Sequence, residues 1–213
     1  MSGILDLLKS DIGKQIISGV AKSTNQNETK TSDVLTMGLP VLTKALQRNA
    51  SSQKGAESLM NAFSKHDGSI LDNLGSLFNG GVNDDVKSDG SKIMGHILGK
   101  KQNGIEQIIG QKANLDKSSV GNILKTAAPI LMGLIGKQQR KSKIDNSSGL
   151  GDLLGNLLGG NSNQSEQNFL EKMLDADGDG SVVDDVANMF LGGNKNKKSG
   201  GIGSLIGGLF GKS

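Results

Sequence analysis

Apolar residues in this chain recur with the period of a helix, and no stretch alternates with the period of a strand. From Val34 the apolar positions are Val34, Leu35, Leu39, Leu42, Ala45 and Leu46, which fall on one helical face. Ser32 or Asp33 is expected to cap the start of this helix, since a short polar side chain there can accept a bond from a free N–H of the first turn. The same period runs through residues 12–21, 56–63, 70–78, 93–98, 105–109 and 120–135. The expected fold class is all-α.

Composition says what such a core must be made of. Among 213 residues there are five Phe and no Trp, Tyr or Cys, so the core is built from Leu, Ile, Val, Met and Ala. The 32 Gly are expected to mark helix ends and close approaches between helices. Without Cys there is no disulfide, thiolate zinc site, iron–sulfur cluster or thiol nucleophile. The scarcity of aromatics speaks against a base-stacking surface, and a net charge of +3 is too small to imply nucleic acid as a partner. Residues 1–6 lack a basic region leading into a long apolar stretch, and no apolar run reaches 18 residues. The expectation is a cytoplasmic chain with neither signal peptide nor membrane span.

A weak internal repeat organises the first part. Residues 34–42 align with 123–131, which places the two prolines of the chain, Pro40 and Pro129, on each other. Upstream, Gln-Ile-Ile at 15–17 resembles 107–109; downstream, 72–78 resembles 152–158. The expectation is two related helical units in one domain over 1–143. Each Pro lies inside an apolar pattern, so each long helix should kink or restart there. Residues 144–164, rich in Gly, Asn and Ser, read as a flexible linker carrying an apolar patch at Leu153, Leu154, Leu157 and Leu158. A compact unit follows at 165–192, then a basic, Gly-rich tail at 193–213.

The chemical motif lies in the compact unit. Asp175, Asp177 and Asp179 alternate, and Gly180 follows, as in the first half of a calcium loop. Three carboxylates spaced this way converge on one hard cation, Gly180 makes the sharp turn, and the backbone carbonyl of Ser181 is the next ligand. Val182 takes the apolar eighth position. Val186 stands where the bidentate Glu belongs, so Asp185, turned back by the exiting helix, is the favoured last ligand, with Asp184 reaching the ion through water. The alternative is a solvated acidic turn. The expected cofactor is calcium, with Asp175, Asp177, Asp179, Ser181 and Asp185 as ligands.

Other signals are weaker. His96 sits on an apolar helix with only the distant His66 as a companion imidazole, and a packed His bonded near a helix end is the expected role. Lys137, Arg140, Lys141 and Lys143 form a basic run at a helix C-terminus, expected to complement the helix dipole. In the tail, Ile202, Leu205, Ile206, Leu209 and Phe210 share one helical face, fit for docking on protein or on a membrane surface through residues 202–210. No phosphate loop and no nucleophile elbow is present.

The segment 89–99, Asp-Gly-Ser-Lys-Ile-Met-Gly-His-Ile-Leu-Gly, together with 124–136 and its Pro-Ile-Leu-Met-Gly-Leu-Ile-Gly, resembles the YidB-like family of bacterial proteins of unknown function over about residues 1–140. The segment 177–185 resembles a C-terminal extension of some members. The resemblance implies an all-helical bacterial domain and brings no assigned activity or catalytic residues. The expected function is a non-enzymatic interaction or scaffold protein with a structural calcium site and a protein partner or self-association. No small-molecule substrate is expected. The alternative is membrane-surface association through the tail. An enzyme would require a deep pocket near His96 lined by a second ionisable group.

Overall fold

A computed structural model describes residues 3–79, 82 and 84–159. These form ten α-helices and one 3-10 turn, with no strand among the described residues. In chain order they are α1 (Ile4–Lys9), α2 (Asp11–Thr24), α3 (Glu28–Ala50), α4 (Gln53–Lys65), α5 (Ser69–Asp72), α6 (Leu74–Asn79), α7 (Asp84–Leu98), α8 (Gln102–Ala113), α9 (Lys117–Lys141) and α10 (Ser147–Leu157); the 3-10 turn, Gly99–Lys101, precedes α8. The two longest helices, α3 and α9, pack on each other at the centre, and the others surround them.

The start of α3 differs from the expectation. Asn27, not Ser32 or Asp33, caps the helix: its Oδ1 accepts the N–H groups of Thr29 (2.8 Å) and Lys30 (3.4 Å). Ser32 and Asp33 lie inside α3. The reason is the polar run 25–33, which hides the helix from an apolar period.

The junctions α2–α3 and α8–α9 are built alike. Asn25 and Asn114 both adopt the left-handed conformation, each with φ of 53°. Beyond them, the N–H of Gln26 donates to the Ala21 carbonyl and that of Leu115 to the Gly110 carbonyl, both at 2.9 Å. Asn27 and Asp116 then cap the long helices. In this register Pro40 meets Pro129, while buried Ile16 and Val20 stand opposite buried Ile105 and Ile109. The similarity of 15–17 to 107–109 falls outside it, and 72–78 is broken at Asn73 where 152–157 is continuous.

Neither proline restarts its helix; α3 and α9 run through Pro40 and Pro129 without interruption. Each Pro lacks an N–H, which frees the carbonyl of the residue four before it, Thr36 or Lys125. At Lys125 the freed carbonyl is covered by α7, where a Cβ on Gly90 would collide with it. Gly19 likewise sits directly against the Phe78 ring.

The expected linker is corrected over its described part. Residues 147–157 form α10, capped by Asn146, with Leu150, Leu153, Leu154 and Leu157 buried against α3. Leucines spaced by three and four residues make one face even in a Gly-rich segment. By length and composition alone α9 is apolar enough to cross a membrane. However, 78% of its most apolar stretch is buried inside the domain. The compact unit at 165–192 and the tail at 193–213 lie outside the described residues.

Asp116 illustrates how a cap makes stability depend on pH. Hydrogen bonds from the Ser118 hydroxyl, the Ser119 hydroxyl and the Ser119 N–H hold its carboxyl well below the usual carboxylate range. The unfolded chain releases this proton only near pH 4. The stabilisation is therefore fully present above that pH and fades as pH falls toward the depressed folded value. The stability gap between wild type and Asp116→Asn, measured by urea unfolding, should be constant from pH 7 to pH 5 and narrow below pH 4. A gap that widens in acid would contradict this.

Candidate functional site

Helices α4 and α7 both pack on α9 but scarcely on each other. Between them lies a cleft of about 720 Å³. Its apolar lining comes from Leu59 and Ala62 of α4, Ile93 and Ile97 of α7, and Met132 of α9. Its polar lining includes Arg48, Asn49, Ser52, Ser58, Asn61, Lys65, His66, Asp89, Lys92 and His96. Both histidines of the chain therefore line one site, although 30 residues separate them in sequence.

His66 is the C-cap residue of α4, its N–H donating to the Ala62 carbonyl at 3.2 Å. Two features of α9 fix it. Gly136 leaves room for the carbonyls of Phe63 and His66, which a Cβ there would strike. Arg140 donates to the carbonyls of Phe63 and Asp67, satisfying groups that the end of α4 leaves open. Next to this turn, hydrogen bonds from Ser69 lower the Asp67 carboxyl below its ordinary value. His66 Nε2 then lies 3.7 Å from Asp89 Oδ2 on α7, so the pair spans the cleft from wall to wall.

The basic run stands at the C-terminal end of α9 as expected, with Arg140 and Lys141 in its last turn, and two of its members also make specific contacts. Lys137 pairs with Asp72 at 2.7 Å, and Arg140 serves α4 and the turn after it. Together they fasten the end of α9 to the end of α4, the turn after it and the end of α5. His96 is corrected in part: it does lie in the last turn of α7, but its side chain is exposed at the cleft, with no hydrogen bond among the described residues, instead of packed. A local signal for the site existed. Asp89, Lys92 and His96 are spaced by three, four and seven residues and so share one stripe of α7. His66 carried no such signal, since only the tertiary fold brings it there.

The expected calcium ligands Asp175, Asp177, Asp179, Ser181 and Asp185, with the alternative Asp184, lie outside the described residues, as does the tail at 202–210. Among the described residues no three His, Asp or Glu side chains gather closely enough to hold a metal ion.

Fold and cleft together define an all-helical domain with a cationic interhelical cleft. The chain belongs to a family described as bacterial protein of unknown function (DUF937), whose model matches residues 6–138, more than half of the sequence. The match covers α2 to α8 entirely and nearly all of α9, and thus the whole cleft. It agrees with the resemblance seen in residues 89–99 and 124–136. No curated protein and no solved structure matches the chain significantly.

Proposed function

We propose that the chain is a non-enzymatic interaction protein that receives a partner in the α4–α7 cleft and carries a calcium site over residues 175–185. One observation supports binding over catalysis. The two serine hydroxyls of the cleft are engaged by helix backbone: Ser52 Oγ caps α4 by accepting the Gly55 N–H at 3.1 Å, and Ser58 Oγ donates to the Lys54 carbonyl at 2.8 Å. The cleft near His96 does have a second ionisable group, as an enzyme would need, but neither hydroxyl is held toward an imidazole. The imidazoles and ammonium groups are then left as recognition groups. The calcium site rests on sequence: three alternating carboxylates followed by Gly180 need a cation to converge.

A pull-down from the native cell tests this reading. Wild type should hold partners that Ala62→Trp, which fills the cleft with an indole, fails to retain. Chelation should release part of the wild-type set. Identical sets for wild type and Ala62→Trp would reject the cleft, and a set unmoved by chelator would reject the calcium part.

A further inference from the structure

We infer that the α4–α7 cleft takes an acidic amphipathic helix presented by a protein partner, with its apolar stripe on the floor of the cleft and its carboxylates toward the cationic edges. This rests on reading the cleft as an interaction site and adds the chemistry of what enters it.

The first argument is shape. A cleft between two helices that share a floor helix but barely touch each other is the trough into which a further helix packs, at the usual 8–10 Å between axes. The wall from Gly55 to His66 extends about 17 Å and that from Asp89 to Ile97 about 12 Å, at 1.5 Å rise per residue. Two to three turns of a helix therefore fit.

The second argument is the apolar lining of the walls. Leu59, Ile93 and Ile97 keep 9%, 7% and 8% of their surface open, whereas Phe63 and Met94 on the same two helices are completely buried. The apolar lining of the cleft is thus less completely closed than the core directly beneath it. Leu59 is followed by Ala62 and Ile93 by Ile97, so each wall offers apolar contacts one turn apart.

The third argument is charge. Arg48, Lys65 and Lys92 line the cleft against a single carboxylate, Asp89, which already faces His66. Lys65 and Lys92 are exposed and make no ion pair among the described residues. Cations along an apolar trough select acidic flanks and reject basic ones. A nucleic acid fits less well, because no Phe, Tyr or Trp lines the cleft to receive a base and its apolar lining would stay uncovered.

The probe is a fluorescein-labelled helical peptide of about 15 residues, long enough to hold a helix, with Leu on one face and Glu on the rest. Its controls are a scrambled peptide of the same composition and a version with Lys in place of Glu. Fluorescence anisotropy with the full chain should show binding of the acidic peptide alone. Lys65→Glu combined with Lys92→Glu should weaken it about tenfold or more and admit the Lys version. Both positions are on the surface, and unchanged far-ultraviolet circular dichroism will show that the fold persists. Equal binding of the scrambled peptide, equal binding by the double variant, or binding of a short oligonucleotide or of dodecanoate in place of the peptide overturns the inference. A pull-down that depends on the cleft, together with a peptide that does not bind, rejects the acidic helix and leaves the proposed function standing. Peptide binding with a cleft-independent pull-down does the reverse.

Discussion

Phe63→Ala should destabilise the helical domain by about 3–5 kcal/mol, the range for truncating a buried aromatic ring. Phe63 is completely buried, and it is the largest fully buried side chain among the described residues. The core it belongs to is built mostly of closely packed aliphatic side chains, so the space left by the ring cannot close cheaply. In a domain of this size the loss corresponds to a fall in melting temperature of about 10 °C, readable by circular dichroism. Phe63→Leu keeps most of the volume and should cost under about 1.5 kcal/mol. The effect should reach the cleft, because Phe63 anchors α4, and the Phe63 carbonyl is one of the groups that Arg140 holds. A melting temperature within two degrees of wild type for Phe63→Ala would mean that α4 is not seated as described.

The existence of the helices was legible because burial on one side imposes a period, and α2, α4, α8 and α9 all enclose the segments that this period marks. Their ends were less so. The first turns of α3 contain no apolar side chain, and the inward-facing residue there is Thr31, fully buried yet polar. A helix start of this kind is set by Asn27, a single capping residue that a hydrophobic pattern does not register. Gly and Ser made residues 147–157 look like a linker, although Leu150, Leu153, Leu154 and Leu157 already followed helical spacing. Composition and period disagreed there, and burial against α3 decided for period.

The cleft was legible only in part. Asp89, Lys92 and His96 share a stripe because they lie on one helix, so their grouping is a local property. The arrival of His66 is a tertiary property: it depends on Gly136 admitting the end of α4 to α9 and on Arg140 binding the carbonyls there. Nothing in the spacing of residues 66 and 96 records that arrangement. The same holds for the conclusion that hydroxyls in the cleft are engaged, since Ser52 and Ser58 look like free nucleophiles until their backbone partners are known.

Gly90→Val is the second large effect, and it tests how the prolines were accommodated. Pro129 offers no N–H to the Lys125 carbonyl, and α9 is too deeply buried there for water to replace it readily. Gly90 brings α7 directly over that carbonyl, the kind of backbone approach at which weak Cα–H contacts to oxygen recur. A Cβ at this position would strike the carbonyl oxygen and carbon of Lys125. Those atoms belong to a helix in the centre of the domain and cannot swing aside as a side-chain tip would. The cost for Gly90→Val should therefore lie at or beyond the upper end of the usual 1–3 kcal/mol for overpacking, with Gly90→Ala smaller but still destabilising. Gly95 supplies the control, since it lies on the same helix with nothing within 4 Å of an added Cβ. Gly95→Ala should stabilise by about 0.4–1 kcal/mol through the unfolded chain and helix propensity. Urea unfolding of both Ala variants decides the matter. Opposite signs place the close approach at Gly90, whereas stabilisation by both would remove it. Pro129→Ala adds the last step: it returns an N–H to the Lys125 carbonyl, yet Gly90→Ala should remain harmful in that background, because the collision is with the oxygen itself and not with an unmet hydrogen bond.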